Sequence, residues 1–261
     1  MVELTRIRAA AERARPYVQR TPMVPVEGAL LKLECLQPTG SFKVRGFFAA
    51  ATQAQISMPE RVRHGLITVS AGNAAQACAY AAHSLGVPCR VVMFDTAPAT
   101  KIDGVKRWGG EPMLRPRDEV LDWLASEAWR VSGIASAVKA LRGDVEVVGV
   151  QSDGYEMWKK VFEAGGPVIV QPETIADGTT GPFTPQMFEL LKECVDRWIT
   201  VPEPRLRAAV PELAAAAKVV AEGAGALAYA ALEQLEPGPK TIAVVSGGNI
   251  DTRLLASLLS G

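Results

Sequence analysis

The sequence predicts an α/β fold built on parallel sheet. Its 261 residues are 48% apolar and carry 28 acidic and 28 basic side chains, which is the composition of a globular protein. Short β-branched runs alternate with longer segments of helical periodicity, and this alternation indicates βαβ units. The first strand and the helix of one such unit lie at residues 67–85. The strand Ile-Thr-Val-Ser ends at the tight loop Ala71-Gly72, and a helix of small residues follows.

The first half of the chain carries most of this alternation. Its first 20 residues predict a helix, residues 30–33 a strand, and the turn at 37–40 leads into a helix capped by Ser41. Further elements are predicted in the order strand 67–70, helix 73–85, strand 87–94, helix 99–108 and, after two glycines, strand 111–114.

The alternation then breaks. Residues 118–129 and 132–141 both predict amphipathic helices, with no strand between them. Because consecutive crossovers need a strand between them, either the two form one long helix kinked near Gly133 or a strand-bearing segment is absent. Beyond them the sequence predicts strands at 145–150, 198–201 and 241–245, and helices at 155–164 and 185–195, from 205 and from Asp251.

Charge and composition exclude several functions. With no net charge, the chain lacks the electrostatic footprint of a nucleic-acid or anionic-membrane binder. The apolar stretch 208–217 is broken by Pro211 and Glu212 and is shorter than the roughly 20 residues that span a bilayer. The N-terminus lacks the apolar core of a signal peptide, so we expect a cytoplasmic protein that binds no membrane.

The cysteines indicate neither a disulfide framework nor a zinc site. Cys35, Cys78, Cys89 and Cys194 are scattered without CxxC spacing, and three of them have apolar surroundings. This pattern is typical of reduced, buried thiols.

Three short segments are candidates for binding an anion. Each brings small and polar residues to the start of a predicted helix, and they are residues 39–43, 70–73 and 246–249. Unpaired N–H groups and the positive end of the helix dipole favour carboxylate or phosphate, and glycine lets a ligand approach the backbone. In an open α/β sheet such loops line one crevice. Each segment alone could also be an ordinary structural turn.

Lys43 is the candidate catalytic residue. A lysine in the first turn of a helix meets an unfavourable dipole, and desolvation would lower the pKa of its ammonium group further. A neutral amine can attack a carbonyl carbon, and lysine is the usual link to pyridoxal phosphate. The alternative is a solvated lysine that simply begins a helix.

These motifs resemble those of a known family. Ser41-Phe42-Lys43-Val44-Arg45-Gly46 resembles the SFKxRG signature of the fold-type-II pyridoxal-phosphate enzymes, the threonine/serine dehydratase and serine racemase group. Residues 70–76 resemble the SxGNHAQ loop of this family, residues 174–178 its TIADG segment and residues 246–249 its SGGN segment. In order and spacing, the four motifs cover nearly the whole chain.

The resemblance implies roles around the cofactor's carbonyl. Lys43, preceded by Phe42, would hold pyridoxal 5′-phosphate as a Schiff base and then remove the Cα proton of the substrate. Asn73 would hydrogen-bond the 3′-oxygen of the cofactor. The loop formed by Ser70, Ala71, Gly72 and Asn73 would receive the substrate carboxylate.

The resemblance also implies roles around the pyridine ring. Ser246, followed by Gly247, would face the ring nitrogen, where a neutral hydroxyl favours loss of a β-hydroxyl. Glu222 would lie close to the ring, although an acid beside two glycines at a helix could equally be structural.

The sequence departs from the family pattern at three single positions. Ala74 replaces the histidine of the SxGNHAQ loop, which is not the catalytic base. Ala71 stands where racemases place a serine that protonates the opposite face, so elimination is favoured over racemisation. Gln151 stands where many relatives have a metal-binding glutamate, and we expect no metal site.

The largest departure is a missing loop. The family has a glycine-rich GGGGL loop that cradles the cofactor phosphate, just before a helix resembling residues 131–135. Here that helix follows Trp129-Arg130 directly, so a segment on the order of 40–60 residues is missing with the loop. The N–H groups of Ser132 and Gly133, assisted by Arg130, are the candidate substitutes.

The resemblance therefore predicts two three-layer parallel-sheet domains of the tryptophan-synthase-beta-like architecture, with part of the larger one missing. The large domain would comprise residues 1–64 and 131–261 and the small domain residues 65–130, with the cofactor in the cleft. The expected function is that of a homodimeric ammonia-lyase converting L-threonine or L-serine to a 2-oxo acid and ammonia. A shortened relative with weak or no cofactor binding and a serine racemase-like enzyme are the alternatives.

Overall fold

A computed structural model of the chain describes residues 3–116, 119–120, 133–181, 183–238 and 240–260. These residues form two compact units. The first unit comprises Arg20–Leu36 and the described residues from 133 to 260, and the second comprises Glu3–Gln19 and the described residues from 37 to 120.

Helices and strands alternate along most of the chain. The strands are β1 (Met23–Val26), β2 (Ala29–Leu33), β3 (Leu66–Val69), β4 (Cys89–Phe94), β5 (Glu111–Arg115), β6 (Val148–Ser152), β7 (Arg197–Val201) and β8 (Ile242–Val245). The helices are α1 (Leu4–Ala14), α2 (Lys43–Ser57), α3 (Pro59–Arg63), α4 (Asn73–Leu85), α5 (Ala99–Arg107), α6 (Gly133–Leu141), α7 (Met157–Ala164), α8 (Pro185–Cys194), α9 (Glu203–Ala217), α10 (Gly223–Ala230) and α11 (Thr252–Leu259). None of the helices in the described ranges is long and apolar enough to cross a membrane.

The second unit contains a parallel sheet in the order β3-β4-β5. The helices α4 and α5 are the crossovers between its strands, as the alternation predicted. Alanines cover the buried side of α4, so the helix approaches β4 closely. It ends at Gly86, whose φ of +67° is the left-handed conformation that favours glycine after a helix.

The second unit also includes α1 and α2. A buried cluster joins these two helices to α4. Its members are Ala14 from α1, Val44, Phe48 and Ala51 from α2, and Ala77 and Ala81 from α4. This packing explains why residues 3–19 and 37–64 group with the second unit, whereas the sequence placed its domain boundary at residue 64.

The first unit contains two separate sheets among its described residues. One has the order β1-β2-β8, in which β1 and β2 form an antiparallel hairpin and β2 and β8 are parallel. The other pairs β6 with β7 in parallel. Both sheets pack into the same hydrophobic core, which includes Leu31 and Leu33 of β2, Val201 of β7, Val245 of β8, and Leu206 and Leu213 of α9.

The predicted α/β class with parallel sheets is confirmed, and so are most of the predicted elements. The differences are local. The strand expected at 145–150 lies at β6, a short 3₁₀ turn at Asp153–Tyr155 precedes α7, and β1 adds an antiparallel strand. The helix predicted at 118–129 lies largely outside the described residues.

Ser41 was expected to cap α2, and this expectation is wrong. The helix begins at Lys43 with Phe42 in the N-cap position, and no side chain caps it. Ser41 is instead completely buried just before the helix.

We predict that Phe48→Ala lowers the free energy of unfolding by about 3–5 kcal/mol. The Phe48 side chain is completely buried, and its ring stacks on Tyr17 with centroids 4.4 Å apart and meets Tyr80 edge-on at 5.3 Å. Chemical denaturation measures the loss. Ile56→Ala on the same helix is the control, because Ile56 is 68% exposed and its truncation should change the free energy by less than ~0.5 kcal/mol. Equal effects of the two substitutions would contradict this packing.

Candidate active site

Hydrogen bonds between Gln37 and Gln19 hold the turn before Lys43 in place within the second unit. The Gln37 amide donates to the carbonyl oxygen of Gln19 at 2.9 Å and accepts from the Gln19 N–H at 3.0 Å. The Arg45 guanidinium donates to the same carbonyl oxygen at 2.9 Å. The backbone turns at Gly40, whose φ is +71°. These bonds hold the start of α2 in place from both sides of Lys43.

Lys43 is the first residue of α2 and is partly buried. Its ammonium nitrogen lies 4.8 Å from the centroid of the Phe42 ring, and an aromatic face at this distance attracts a cation. Two residues before it, the hydroxyl of Ser41 is buried and has no hydrogen-bond partner in the described part of the protein. A buried hydroxyl in this state is free to bind a group presented beside Lys43.

The loop at residues 70–73 follows β3, as the sequence predicted. The Ser70 N–H donates to the carbonyl oxygen of Val92 at 3.0 Å, and the Ser70 hydroxyl accepts from the Gly72 N–H at 3.1 Å. Asn73 is the first residue of α4, and no side chain caps this helix. The loop is thus held by the sheet, and the N-terminal end of α4 has the polarity that favours a carboxylate.

In the first unit, two of the sequence motifs and the start of α10 meet through their backbones. The Glu222 N–H donates to the carbonyl oxygen of Gly247 at 3.1 Å. A Cβ at Gly225 would overlap this same oxygen, and a Cβ at Gly223 would overlap the carbonyl oxygen of Ile175. Glycine is therefore required at both positions, and the TIADG segment, the start of α10 and the SGGN segment form one cluster.

Ser246 and Glu222 lie in this cluster. Ser246 follows β8, is partly buried and donates to the carbonyl oxygen of Ala224 at a long 3.3 Å. A bond of this length is easily exchanged for a better acceptor. Glu222 is 6% exposed and sits at the N-terminal end of α10, where the helix dipole favours a carboxylate. The dipole gives Glu222 a structural role that is compatible with a place near the ring.

Cys35 lies close enough to Glu222 to sense its charge. Burial, together with the negative charges of Glu34 and Glu222, raises the pKa of the Cys35 thiol to about 11. All four cysteines are buried and free. The Sγ atoms of Cys78 and Cys89 lie 3.8 Å apart within the core of the second unit.

Gln151 lies within β6 and is buried. Its side-chain oxygen accepts from the Lys159 N–H of α7 at 3.0 Å, so the amide links strand to helix. In the described part of the chain, no group of three or more His, Cys, Asp or Glu side chains is arranged to hold a metal ion.

The candidate substitutes for the phosphate loop are largely outside the described residues. Arg130 and Ser132 belong to the range that the structure does not describe, and Gly133 is the first residue of α6. Their roles at a phosphate stay predictions.

Taken one unit at a time, the described residues have chemistry that suits either the carbonyl group or the pyridine ring of pyridoxal phosphate. In the second unit, a partly buried lysine begins a helix beside an orphaned buried hydroxyl. In the first unit, the neutral hydroxyl of Ser246 has a weak bond that it would exchange for one to a ring nitrogen.

We predict that Gly225→Ala displaces the SGGN segment, because its methyl group would overlap the carbonyl oxygen of Gly247. Titration with pyridoxal phosphate should show an affinity reduced by about tenfold or more, equivalent to a loss of ~1.4 kcal/mol. Gly166→Ala is the control, since a Cβ there meets nothing within 4 Å and should leave the affinity unchanged. Wild-type affinity in Gly225→Ala would disprove the close approach.

We predict that Glu222→Gln speeds alkylation of Cys35. At pH 8 a thiol of pKa 11 has about 100-fold less thiolate than one of ordinary pKa 9, so Cys35 should react slowly in the wild type. Removing the Glu222 charge lowers the thiol pKa and raises the rate. Peptide mass spectrometry after iodoacetamide treatment measures the rate at Cys35, with Cys194 as the internal reference. An unchanged ratio of the two rates would show that Glu222 is not near Cys35.

Comparison with known proteins agrees with the motifs. A family model described as "Pyridoxal-phosphate dependent enzyme" matches residues 14–128 and 125–247. The L-threonine ammonia-lyase of Thermotoga maritima is 31% identical over an alignment of 321 residues that covers 100% of this chain and 79% of the relative.

Solved structures agree in the same way. Maize serine racemase superimposes with a TM-score of 0.86 at 25% identity, covering 99% of this chain and 97% of that one. A threonine deaminase from T.th. superimposes with a TM-score of 0.80 at 30% identity, covering 96% and 99% of the two chains.

The comparisons agree with a missing segment. An alignment of 321 residues against a chain of 261 leaves about 60 positions with no residue of this chain. The two segments matched by the family model meet at residues 125–128, next to the place where the sequence indicated a missing segment. From these matches and the two-unit α/β structure, the chain belongs to the pyridoxal-phosphate-dependent enzymes of fold type II, in the threonine/serine dehydratase family.

Proposed function

We propose that this chain is an ammonia-lyase that removes the β-hydroxyl of L-threonine or L-serine and yields a 2-oxo acid and ammonia. The observation that carries the proposal is the position of Lys43, partly buried at the first residue of α2 inside the SFKxRG signature. The relative most informative about substrate is the L-threonine ammonia-lyase that aligns with the whole chain.

Lys43 and the start of α4 would have separate roles in the reaction. When bound, pyridoxal phosphate withdraws electrons from Cα of the amino acid and so acidifies the Cα proton. The Lys43 amine takes this proton, and the start of α4 orients the substrate carboxylate through backbone N–H groups. The β-hydroxyl then leaves as water, carrying the proton that the Lys43 amine took from Cα. Addition of water to the resulting enamine product releases ammonia and leaves the 2-oxo acid.

Ser246 supports elimination over longer-lived carbanion chemistry. Its hydroxyl is neutral and would hydrogen-bond the ring nitrogen without protonating it, which tempers the electron sink. Loss of a β-hydroxyl needs only a brief accumulation of negative charge at Cα. The weak 3.3 Å bond from Ser246 to Ala224 leaves the hydroxyl proton available for this contact.

Racemisation is less well supported, because it needs a proton donor on the opposite face. Ala71 stands at that position, and its methyl group packs against the apolar cluster of the second unit. The alanine side chain has no acidic proton that it could donate to Cα. Because the chain is similar to maize serine racemase, the product assay below also tests for racemisation.

The second candidate function is a shortened relative that binds the cofactor weakly or not at all. The observation that favours it is that the alignment with the T. maritima relative leaves about 60 positions with no residue of this chain, and the two family-model matches meet at residues 125–128, close to the expected place of the phosphate loop. Without the loop, fewer backbone N–H groups meet the phosphate charge.

We predict that the protein turns yellow with pyridoxal phosphate and that Lys43→Ala abolishes the visible absorbance. Turnover should fall by roughly a thousandfold or more, as expected for loss of the group that moves the proton. The matched control is Lys192→Ala, an exposed lysine of α8 paired with Glu189, which should retain colour and activity. L-threonine, L-serine and D-serine are assayed separately for 2-oxo acid.

Each outcome separates the candidates. A colourless wild type at saturating cofactor supports the non-catalytic relative and ends the enzyme proposal. A yellow protein that forms D-serine from L-serine but no 2-oxo acid would indicate the racemase.

The expected homodimer and the expected cytoplasmic location stay predictions.

A further inference from the structure

We propose that Glu203 is a positioning residue that holds residues 174–178, the TIADG segment, and thereby sets the affinity of the chain for its cofactor. As a role in the ammonia-lyase reaction it rests on the proposed function. The residue stands outside the four motifs, at the first position of α9. Its side chain is 19% exposed and is surrounded by donors.

The Glu203 carboxylate accepts three short hydrogen bonds. One oxygen accepts from the Ile175 N–H at 2.7 Å, and the other accepts from the Ser152 hydroxyl at 2.7 Å and the Thr174 hydroxyl at 2.8 Å. Bonds to an ionised acceptor are shorter and about twice as strong as neutral ones. A single side chain therefore ties the TIADG segment to the end of β6.

The hydroxyl groups of Ser152 and Thr174 each donate one hydrogen bond to Glu203 and accept one from a backbone N–H. The Ser152 oxygen accepts from the Gly154 N–H at 3.0 Å, and the Thr174 oxygen accepts from the Ala176 N–H at 3.0 Å. Each hydroxyl thus closes a small turn of its own and directs its one proton to Glu203. Such an arrangement specifies one orientation for every member of the network.

The backbone of Glu203 is fixed as well. Its N–H donates to the carboxylate of Asp153 at 3.0 Å, so the start of α9 is anchored to the turn that follows β6. The Arg207 guanidinium, one turn along the helix, lies 3.8 Å from the carboxylate. The hydrogen bonds to the TIADG segment and β6, at 2.7–2.8 Å, are much shorter than this ion pair.

The TIADG segment in turn supports the residues proposed for the ring. The carbonyl of Ile175 abuts Gly223 so closely that a Cβ at Gly223 would overlap it, and Ala224 packs against Gly178. Movement of the segment would therefore move the start of α10. Because the Glu222 N–H donates to Gly247, the displacement would reach the loop that carries Ser246.

The decisive variant is Glu203→Gln, because an amide has one acceptor oxygen and cannot serve all three donors. In cofactor-free protein, amide hydrogen exchange at Ile175 should accelerate by about tenfold, while exchange within α4 stays unchanged. Titration with pyridoxal phosphate should show a Kd raised by about tenfold. Glu212→Gln is the matched control, since this acid of the same helix bonds Arg205 instead, and it should change neither quantity.

A second pair of variants keeps the test decisive if Glu203→Gln fails to fold. Thr174→Val removes the hydroxyl with little change in shape and should raise the Kd, whereas Thr174→Ser keeps the hydroxyl and should restore it to within about twofold. Equal Kd values for these two variants would overturn the proposal. So would unchanged exchange at Ile175 in Glu203→Gln, or equal losses in Glu203→Gln and Glu212→Gln.

The measurements distinguish this proposal from the proposed function. If the wild type binds pyridoxal phosphate but turns over neither L-threonine nor L-serine, the ammonia-lyase proposal fails while the Kd comparison still decides the role of Glu203. If the wild type binds no cofactor, hydrogen exchange at Ile175 decides it.

Discussion

The close backbone approach at Gly223 and Gly225 is the constraint on which the functional part of the first unit depends. The carbonyl groups of Ile175 and Gly247 occupy the space where side chains would otherwise stand. Three segments distant in sequence can meet there only because α10 begins with glycines. The position of Ser246 and the burial of Glu222 at the helix start both follow from this contact.

The first unit has one hydrophobic core that spans two sheets among its described residues. Its described strands form two sheets, yet residues of β2, β7, β8 and α9 share one buried cluster. Apolar burial is non-directional, so helices α9 and α10 can cover both sheets even though no ladder joins them. The core of the first unit thus holds together in a sequence without the GGGGL loop that cradles the phosphate in its family.

Local sequence patterns predicted most elements well, and the errors have physical causes. The predicted helix at 73–85 matches α4, because small residues, a strand before it and Gly86 after it all act locally. Ser41 was misjudged because a serine before a helix is the usual cap, whereas burial in the tertiary structure took its side chain away from the helix start. The sequence does not single out Glu203, because an acid in the first turn of a helix is common and its three partners lie 28, 29 and 51 residues away.

The sequence by itself determined the alternation of strands and helices, the candidate lysine, the family and the place of the missing segment, because these depend on the order and spacing of neighbouring residues. The tertiary structure alone decided which helices pack with which sheet, why glycine is required at 223 and 225, and which groups the Glu203 carboxylate binds. These depend on distances between atoms far apart in the chain, and hydrogen bonds and close packing act only over a few ångströms.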